Sequence, residues 1–556
     1  MMTQAKQSTA KPWRARLARF MGLFTHNEGA VAVQFALLAL PLCILAFGLM
    51  DVNRATVAKQ QLQDALDAAT LLAARTTTAT TDTALTAVGK PALQSNLTNL
   101  PGATLSSATF SLSGSYINGN ATITMTPIVA HLWMDGDMTI KATSQVVRTM
   151  DDLEVALVLD NTGSMASPLG STSTSKISAL QSASQSLVNT LFAAAANSAD
   201  PAKAVQISVV PFSHTVNVGS GYQNANWISP GLPTAYGSDN FSTAGTNRFT
   251  LLSQMGLSWA GCVEMRKAPY DTQDDAPTSG NPATMVVPYF APDEPDAGKT
   301  SYTYYNNWIT NDVTTSTNAS TRQNYVSKYA ASNKNKLATA PSWAAGGVTG
   351  TDDFGPNREC GLTSLLTLTN SQSTVNAKLQ SMVAQGNTNI AMGLAWGWLT
   401  LSPNGPFANG VAYNTPNHDK IIVLLTDGDN TNDDKYSSSH ANNANNSIYT
   451  GIGYIGQGRL LDASGTALGT SSTATQRRDA IDSRELLLCS NMKTTGSTGK
   501  NIIIYTIGVG VSTHSKTILQ QCASGTDHYY DVTDATQLTS VFNAIAGSIQ
   551  NLRLSH

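Results

Sequence analysis

The sequence has few charged residues. Asp, Glu, Lys and Arg make up 12% of its 556 residues, against roughly 25% in an average soluble protein. Basic residues are not in excess, since the formal net charge at pH 7 is -3. The chain therefore lacks the basic surface that nucleic-acid binding requires, and we expect no nucleic acid among its partners. Apolar residues still make up 41% of the chain, which excludes a wholly disordered protein.

Cysteine is also scarce, and its spacing excludes a zinc site. The chain has 5 cysteines and no Cys-x-x-Cys pair or cysteine–histidine cluster. Cys43 lies in an apolar segment, which leaves four others: Cys262, Cys360, Cys489 and Cys522. An even number indicates disulfides in an oxidising compartment, with three pairings open. Of these we favour Cys262 with Cys360, and Cys489 with Cys522.

Motifs of common enzymes and nucleotide-binding proteins are missing. The Gly-Lys-Asn at residues 499–501 lacks the first glycine and the hydroxyl residue of a phosphate-binding loop, and the Gly-Lys-Thr at 298–300 has Asp293 in place of that first glycine. Residues 427–434 are acidic but do not place Gly and Glu as an EF-hand requires. No Gly-x-Ser-x-Gly turn occurs, and the 8 histidines have no visible catalytic partner. We predict no nucleotide site and no enzymatic activity.

One long apolar segment is present near the N-terminus. Residues 30–50 carry no formal charge, and as a helix they span about 31 Å, close to the ~30 Å hydrocarbon core of a bilayer. We predict a transmembrane helix there, continuing to about residue 75 as an amphipathic stalk. A cleaved signal peptide is the alternative. Residues 1–29 form a basic tail, which the positive-inside rule places in the cytoplasm. Its basic residues before Glu28 are Lys6, Lys11, Arg14, Arg16 and Arg19.

The remaining residues divide into two parts. Residues 76–150 contain short β-prone pieces between Gly and Asn turns, which predict a small β-rich module. In residues 151–556 apolar runs alternate with helical periodicity. The runs that indicate buried strands are 155–159, 205–210, 420–426, 501–509 and 528–532. Strands separated by helices predict a doubly wound α/β domain with a mostly parallel sheet. Residues 217–365 lack sustained periodicity, and we predict that they form an inserted subdomain on one rim.

Polar side chains follow the predicted strands. Asp160, Thr162 and Ser164 come directly after the first strand, Asp427 follows the strand 420–426, and Thr388 precedes a helix between them. Ligands of open parallel sheets bind beyond the carboxyl ends of the strands. Two carboxylates and three hydroxyls suit a hard divalent cation, Mg²⁺ first, with Mn²⁺ or Ca²⁺ as alternatives. The competing interpretation is that these residues only cap helices and form turns.

This residue set resembles the metal-ion-dependent adhesion site of von Willebrand factor type A domains. That site combines Asp-x-Ser-x-Ser, a threonine and an aspartate from three loops, and here Thr162 replaces the first serine and keeps its hydroxyl. The resemblance extends over about residues 153–552 without the insert. It implies a Rossmann-like fold whose ion accepts a carboxylate from a partner protein and does not catalyse a reaction.

The N-terminal segment has a second resemblance. Gly29-Ala-Val-Ala-Val-Gln34-Phe35-Ala, an apolar run and Asp51 are similar to the N-terminus of the TadE/TadG proteins of the tight-adherence (Flp) pilus system. Gln34 stands where prepilins of that system carry glutamate, which favours a permanently anchored accessory protein over a polymerising pilin.

Together the two resemblances imply a single-pass protein of the bacterial inner membrane, with its large C-terminal part in the periplasm. It would belong to a tight-adherence pilus assembly or secretion system and have that system's components as partners. The alternatives are an envelope scaffold or surface adhesin unrelated to pili and, less favoured, a metal-dependent hydrolase, for which no general base is identifiable.

Overall fold

The structure, a computed structural model, describes residues 27–552 with several gaps. The gaps are residues 77–78, 80, 98–101, 114–115, 129–135, 149–150, 172, 197, 199, 232–239, 296–304, 311–315, 339–353 and 434–444. The predicted cytoplasmic tail lies outside the described residues except for its last three. The chain divides into two compact units, Met1–Arg148 and Thr149–His556.

The first unit consists of two helices and an antiparallel sheet. Its elements are α1 (Asn27–Arg75), α2 (Asp82–Asn96), β1 (Ala103–Ser113), β2 (Tyr116–Met125) and β3 (Met138–Val147). The strand order is β1-β2-β3. Alternate residues of β2, including Ile117 and Ile123, are buried, because one face of the sheet packs on the helices.

Helix α1 has two halves with opposite environments. It is 49 residues long, or about 74 Å, and is the one described helix long and apolar enough to cross a membrane. Large apolar side chains in its first half, such as Phe35 and Leu42, are exposed. In the second half Leu62, Leu66 and Ala69 are fully buried in the core shared with the sheet. The first half therefore needs an apolar environment that the first unit does not supply.

Helix α2 was not predicted, since its segment was assigned to a purely β-rich module. Its sequence contains Gly89 and Pro91, which disfavour helix. Packing outweighs this propensity: a Cβ on Gly89 would lie 2.6 Å from the Phe110 ring, so only glycine allows that ring to contact the helix. The helix begins at Thr81, whose hydroxyl accepts a hydrogen bond from the backbone N–H of Ala84.

The second unit is built on a nine-stranded sheet. Its strands are β4 (Asp152–Asp160), β5 (Val205–Phe212), β6 (Val216–Asn217), β7 (Cys262–Glu264), β8 (Val287–Pro288), β9 (Leu366–Thr369), β10 (His418–Thr426), β11 (Ile503–Val509) and β12 (Tyr529–Val532). The order is β12-β11-β10-β4-β5-β6-β7-β8, with β9 paired to β5. The strands β12, β11, β10, β4 and β5 are parallel, and β6 to β9 pair antiparallel. The predicted α/β fold is confirmed, with a sheet that is more mixed than expected.

Helices cover both faces of this sheet. They are α3 (Lys176–Ala195), α4 (Arg248–Gln254), α5 (Ala319–Gln323), α6 (Gln372–Gln380), α7 (Ile390–Leu401), α8 (Ala474–Met492), α9 (Thr513–Cys522) and α10 (Leu538–Leu552). On the central strand β4, Val155 and Leu157 pack with α3, α6 and α10, whereas Ala156 and Val158 pack with α7, α8 and α9. Burying one such Val or Leu side chain contributes about 1.5–3 kcal/mol.

Helix α7 lies unusually close to the sheet. A Cβ on Gly393 would lie 2.6 Å from the Phe212 ring, and eleven of its twelve residues are buried. This helix is therefore apolar on every side, unlike a surface helix with one apolar stripe. Close packing fixes the position of its N-terminus, which follows the Thr388 loop.

The insert continues the sheet at one edge. Its strands β6, β7 and β8 extend the edge next to β5, and its side chains Trp227 and Trp308 share one core cluster with Phe212 of β5. The ends of the insert meet, since the backbone N–H of Leu365 donates to the carbonyl of Asn217 at 2.7 Å. The strands of the insert were not predicted, because strands of two or three residues leave no periodic signal in the sequence.

Two disulfides are present in the second unit. Cys262 in β7 is bonded to Cys360, with a sequence separation of 98 residues, and Cys489 in α8 is bonded to Cys522 in α9, with a separation of 33. These are the two pairs that the sequence favoured. The second bond joins neighbouring helices on the same face of the sheet.

Candidate metal centre

The candidate site lies at the carboxyl ends of two neighbouring strands. Asp160 is the last residue of β4 and Asp427 follows β10 directly. The two strands pair in parallel register, Leu159 opposite Leu425. Parallel pairing brings both strand ends to the same edge of the sheet, so the two carboxylates meet there although 267 residues separate them.

Asp160 is held in a fixed orientation. It is fully buried, and its Oδ1 accepts a hydrogen bond of 2.7 Å from the backbone N–H of Thr162. Its Oδ2 accepts one of 2.7 Å from the Thr426 hydroxyl and a longer one of 3.4 Å from the backbone N–H of Asp427. These contacts stabilise the ionised carboxylate without neutralising its charge.

Two hydroxyls complete this cluster. The Ser164 hydroxyl donates to Asp427 Oδ1 at 2.6 Å, and Thr162 Oγ1 lies 3.0 Å from Ser164 Oγ and 3.5 Å from Asp427 Oδ1. Both residues stand on the short turn after β4, where Gly163–Ala166 form one 3₁₀ turn. The structure thus brings the side chains of Thr162, Ser164 and Asp427 into contact, and the carboxylate of Asp160 lies next to them, bonded to the backbone N–H groups of Thr162 and Asp427.

Thr388, the fifth residue, lies on the adjacent loop. Its backbone N–H donates to the Thr431 hydroxyl at 3.1 Å, and the N–H of Thr431 donates to the Thr388 carbonyl at 2.9 Å. Thr388 Oγ1 is the atom nearest to a Cβ placed on Gly428, at 4.0 Å. The Thr388 hydroxyl therefore lies beside the Asp427–Gly428 turn, next to the cluster and not within it.

The electrostatics of the cluster favour a cation. Burial, and after it the negative charge of Asp427, together raise the pKa of Asp160 from 3.8 to about 6. Both effects disfavour two ionised carboxylates at this edge of the sheet unless a positive charge is present.

A positive charge is present, and the sequence did not predict it. Lys176, the first residue of α3, has its Nζ 2.5 Å from Asp427 Oδ2. Its side chain is 11% exposed and that of Asp427 is fully buried. No spacing rule connects a lysine after a serine- and threonine-rich loop with an aspartate 251 residues further along the chain, so only the fold reveals this pair.

Asn430 connects the site to a second group of carboxylates. Its Oδ1 accepts from the backbone N–H of Ile390 at 2.7 Å, and its Nδ2 donates to Asp482 and Glu485 of α8, each at 2.8 Å. This residue therefore ties the N-terminus of α7, just after the Thr388 loop, to α8. Burial raises the pKa of Glu485 to about 8, and the charge of Asp482 adds to that effect.

The raised pKa of Glu485 predicts a specific pH dependence of stability. Between pH 4.5 and about 8 the folded chain holds a proton on Glu485 that the unfolded chain has lost, so stability falls as pH rises through this window and levels off above it. The free energy of unfolding of Glu485→Gln, which mimics the protonated acid, should exceed that of wild type by on the order of 5 kcal/mol at pH 8.5 and by little at pH 4.5. Urea unfolding at both pH values measures the difference. An equal difference in unfolding free energy between the two chains at both pH values would contradict a raised pKa of Glu485.

Two family models match the chain. The model described as TadE-like protein matches residues 29–70, and the model of the von Willebrand factor type A domain matches residues 361–544. The second match begins near the end of the insert, whereas α3 and the strands β4 and β5 of the same sheet lie before the insert. Comparison with curated protein sequences gives no match.

Solved structures match the chain at low similarity. The pilus adhesin SpaC from Lactobacillus rhamnosus GG is 12% identical with a TM-score of 0.32, and the match covers 82% of this chain and 35% of that one. The minor pilin PilB from Streptococcus sanguinis is 12% identical with a TM-score of 0.31, covering 81% and 79%. The von Willebrand domain of the type V pili tip protein Mfa5 from Porphyromonas gingivalis is 12% identical with a TM-score of 0.31, covering 73% and 97%. By the two family models, the chain combines a TadE-like N-terminal segment with a von Willebrand factor type A domain, as its sequence predicted.

Proposed function

We propose that this protein is a membrane-anchored, exported component of a tight-adherence (Flp, type IV-like) pilus assembly or secretion system. In this proposal it binds a partner protein through a divalent cation held by Asp160, Thr162, Ser164, Thr388 and Asp427. The observation that carries the proposal is the convergence of two buried carboxylates and two hydroxyls at the carboxyl ends of β4 and β10.

The donor set fits a hard divalent ion. Carboxylate and hydroxyl oxygens are the ligands that Mg²⁺ accepts, and a hydroxyl-rich set leaves positions for water. Mn²⁺ and Ca²⁺ prefer oxygen as well. Asp160 is already oriented by three hydrogen bonds, so ion binding requires little rearrangement of that side chain. When bound, the ion supplies a coordination position for a carboxylate of the partner and the positive charge that attracts it.

The proposed location follows from the first unit. The TadE-like match covers residues 29–70, and the exposed apolar half of α1 is suited to a bilayer. Basic residues ahead of it favour a cytoplasmic N-terminus and a periplasmic C-terminal part. The two disulfides agree with an oxidising compartment. We place the chain in the bacterial inner membrane with a single pass.

One observation favours a structural role instead. The ion pair between Lys176 and Asp427 supplies a positive charge within the chain, so the cluster can be stable without an ion. In that case the second unit would act as an envelope scaffold, and removal of divalent ions would not affect attachment. The Asp160→Ala experiment described next distinguishes metal-dependent attachment from the scaffold role.

The proposed function predicts that Asp160→Ala abolishes Mg²⁺ binding and partner attachment while the chain stays folded and exported. Folding survives because a bound ion stabilises only by mass action, about 2.7 kcal/mol at 100 times its dissociation constant, and because the repulsion between Asp160 and Asp427 is relieved. Attachment is lost because the site no longer holds the divalent ion that would accept the partner's carboxylate. Titration calorimetry measures Mg²⁺ binding by the full chain in detergent, and adhesion or pilus output is measured in cells.

Two further variants sharpen this test. Thr388→Ala removes one hydroxyl outside the contact cluster and should weaken Mg²⁺ binding with little effect on stability. Asp200→Ala is the matched control, since Asp200 is exposed, precedes β5 at the opposite end of that strand and forms an ion pair with the exposed Lys203. Surface labelling confirms export of each variant. If the Asp160 and Thr388 variants are exported and attach like the control, recognition through a metal ion is wrong and the scaffold function is favoured.

A further inference from the structure

The candidate site already contains a cation that belongs to the chain. Lys176 Nζ lies 2.5 Å from Asp427 Oδ2, and Asp427 Oδ1 is the oxygen that accepts from Ser164. The two oxygens of Asp427 therefore have different partners, one a hydroxyl of the site and the other an ammonium from α3.

We propose that Lys176 competes with the divalent ion for Asp427, so that ion binding and release of Lys176 are one exchange. This proposal rests on the proposed function, because it concerns the occupancy of the same site. In the ion-free chain the ammonium is bound to Asp427. In the ion-bound chain it leaves and its side chain turns toward solvent.

The charges make the two cations mutually exclusive. Asp160 and Asp427 together carry two negative charges, and both side chains are buried. A divalent ion balances them completely, so Lys176 in its present position would add an uncompensated positive charge in a buried place. An unpaired buried charge is strongly unfavourable. Without the ion, loss of Lys176 would leave two buried carboxylates unpaired, which is unfavourable for the same reason.

Lys176 is placed so that it can leave without disrupting its helix. It is the first residue of α3, and the cap of that helix is formed by Ser175, whose hydroxyl accepts from the backbone N–H of Ser178. Its side chain is 11% exposed at the edge of the site, so a change of rotamer is enough to bring the ammonium into water. A positive charge at a helix N-terminus is also unfavourable, and no acidic residue lies in the first turn of α3 to offset it. Asp427 thus holds the lysine in an otherwise unfavourable position.

The exchange has a consequence for recognition. Because ion binding must displace an internal cation, the apparent dissociation constant equals the intrinsic one divided by the fraction of chains in which the site is open, and is therefore higher. The site then responds to the concentration of divalent ions in the compartment instead of being permanently filled. At low ion concentration Lys176 prevents the two carboxylates from facing each other without a counter-charge.

The proposal predicts that Lys176→Met binds Mg²⁺ more tightly. Methionine keeps the length and apolar stem of the side chain without its charge. Titration calorimetry on the full chain in detergent should give a dissociation constant lower by about tenfold or more, since the competing closed state is removed. Lys378→Met is the matched control: Lys378 is a partly buried lysine of α6 whose Nζ lies 3.1 Å from Ser364 Oγ, and its replacement should leave Mg²⁺ affinity unchanged.

A second measurement uses the unaltered chain and therefore decides the question even if Lys176→Met does not fold. Acetylation with an amine-reactive ester, followed by mass spectrometry, should modify Lys176 several-fold faster in saturating Mg²⁺ than in EDTA, while the reactivity of Lys378 stays constant. Equal Mg²⁺ affinity of wild type and Lys176→Met within twofold, together with unchanged labelling, overturns the exchange and leaves the proposed function intact. Absence of Mg²⁺ binding in both chains overturns the two proposals together. Mg²⁺ binding by Lys176→Met but not by wild type supports the exchange, because Lys176 then excludes the ion from the site completely.

Discussion

Glu264→Ala is expected to destabilise the second unit by about 3–5 kcal/mol, because it leaves two buried arginines without their shared counter-charge. Glu264 at the end of β7 is fully buried. Its Oε1 accepts hydrogen bonds from Arg248 and from the Tyr449 hydroxyl, and its Oε2 lies 2.6 Å from Arg459 Nη1. One carboxylate therefore joins α4, β7 and two segments beyond the insert.

Urea unfolding followed by tryptophan fluorescence measures this loss, since Trp227, Trp259 and Trp308 are buried in the insert. Asp531→Ala is the control: Asp531 pairs with Lys516 at 2.7 Å, but both side chains are about one third exposed, and such pairs contribute about 0–1 kcal/mol. The loss of stability in Glu264→Gln should lie between those of Glu264→Ala and Asp531→Ala, because glutamine keeps the shape of the side chain and loses its charge. If Glu264→Ala loses less stability than the control, Arg248 and Arg459 find other partners in the variant.

Replacing Cys262 and Cys360 together by serine is expected to cost more than replacing Cys489 and Cys522. The first bond closes a loop of 98 residues and the second a loop of 33. The chain-entropy relation gives about 4.7 and 3.7 kcal/mol for these lengths, since a longer loop gains more freedom when the unfolded chain is released. Both bonds are buried, so the cost of burying serine hydroxyls is similar in the two double variants.

The measurement is the free energy of unfolding of the two double variants under oxidising conditions, with the Cys43→Ser chain as control because Cys43 is unpaired and exposed. If the variant without Cys489 and Cys522 loses more stability than the variant without Cys262 and Cys360, local packing between α8 and α9 outweighs loop entropy.

The parallel core of the fold could be predicted because its signals are local. The apolar run Val155–Leu159 is too short for a helix and fully buried as a strand, and the helices between the strands have clear periodicity. Helix α2 could not be predicted, because Gly89 is favoured there by contact with Phe110 and not by helix propensity. The strands of the insert have two or three residues each, and so few residues show no alternation.

The candidate site also contains residues that could be predicted from the sequence and residues that could not. Asp160 and Asp427 could be assigned because each directly follows a recognisable strand, and the topology of parallel sheets brings strand ends together. Lys176 could not be assigned, because its contact with Asp427 depends on the path of the loop before α3. Asn430 was overlooked for a similar reason: its role is visible only through its contacts with Ile390 and with the carboxylates of α8.

The hydrogen bond between Leu365 and Asn217 has an evolutionary consequence. The two ends of the insert meet at this bond, so its length can change without moving the strands that carry the carboxylate pair. Loop-closure entropy depends weakly on length, about 0.6 kcal/mol for each doubling. Descendants of a common ancestor could therefore exchange large loops at this position, and so acquire different surfaces, while the sheet edge that carries the carboxylate pair stays the same.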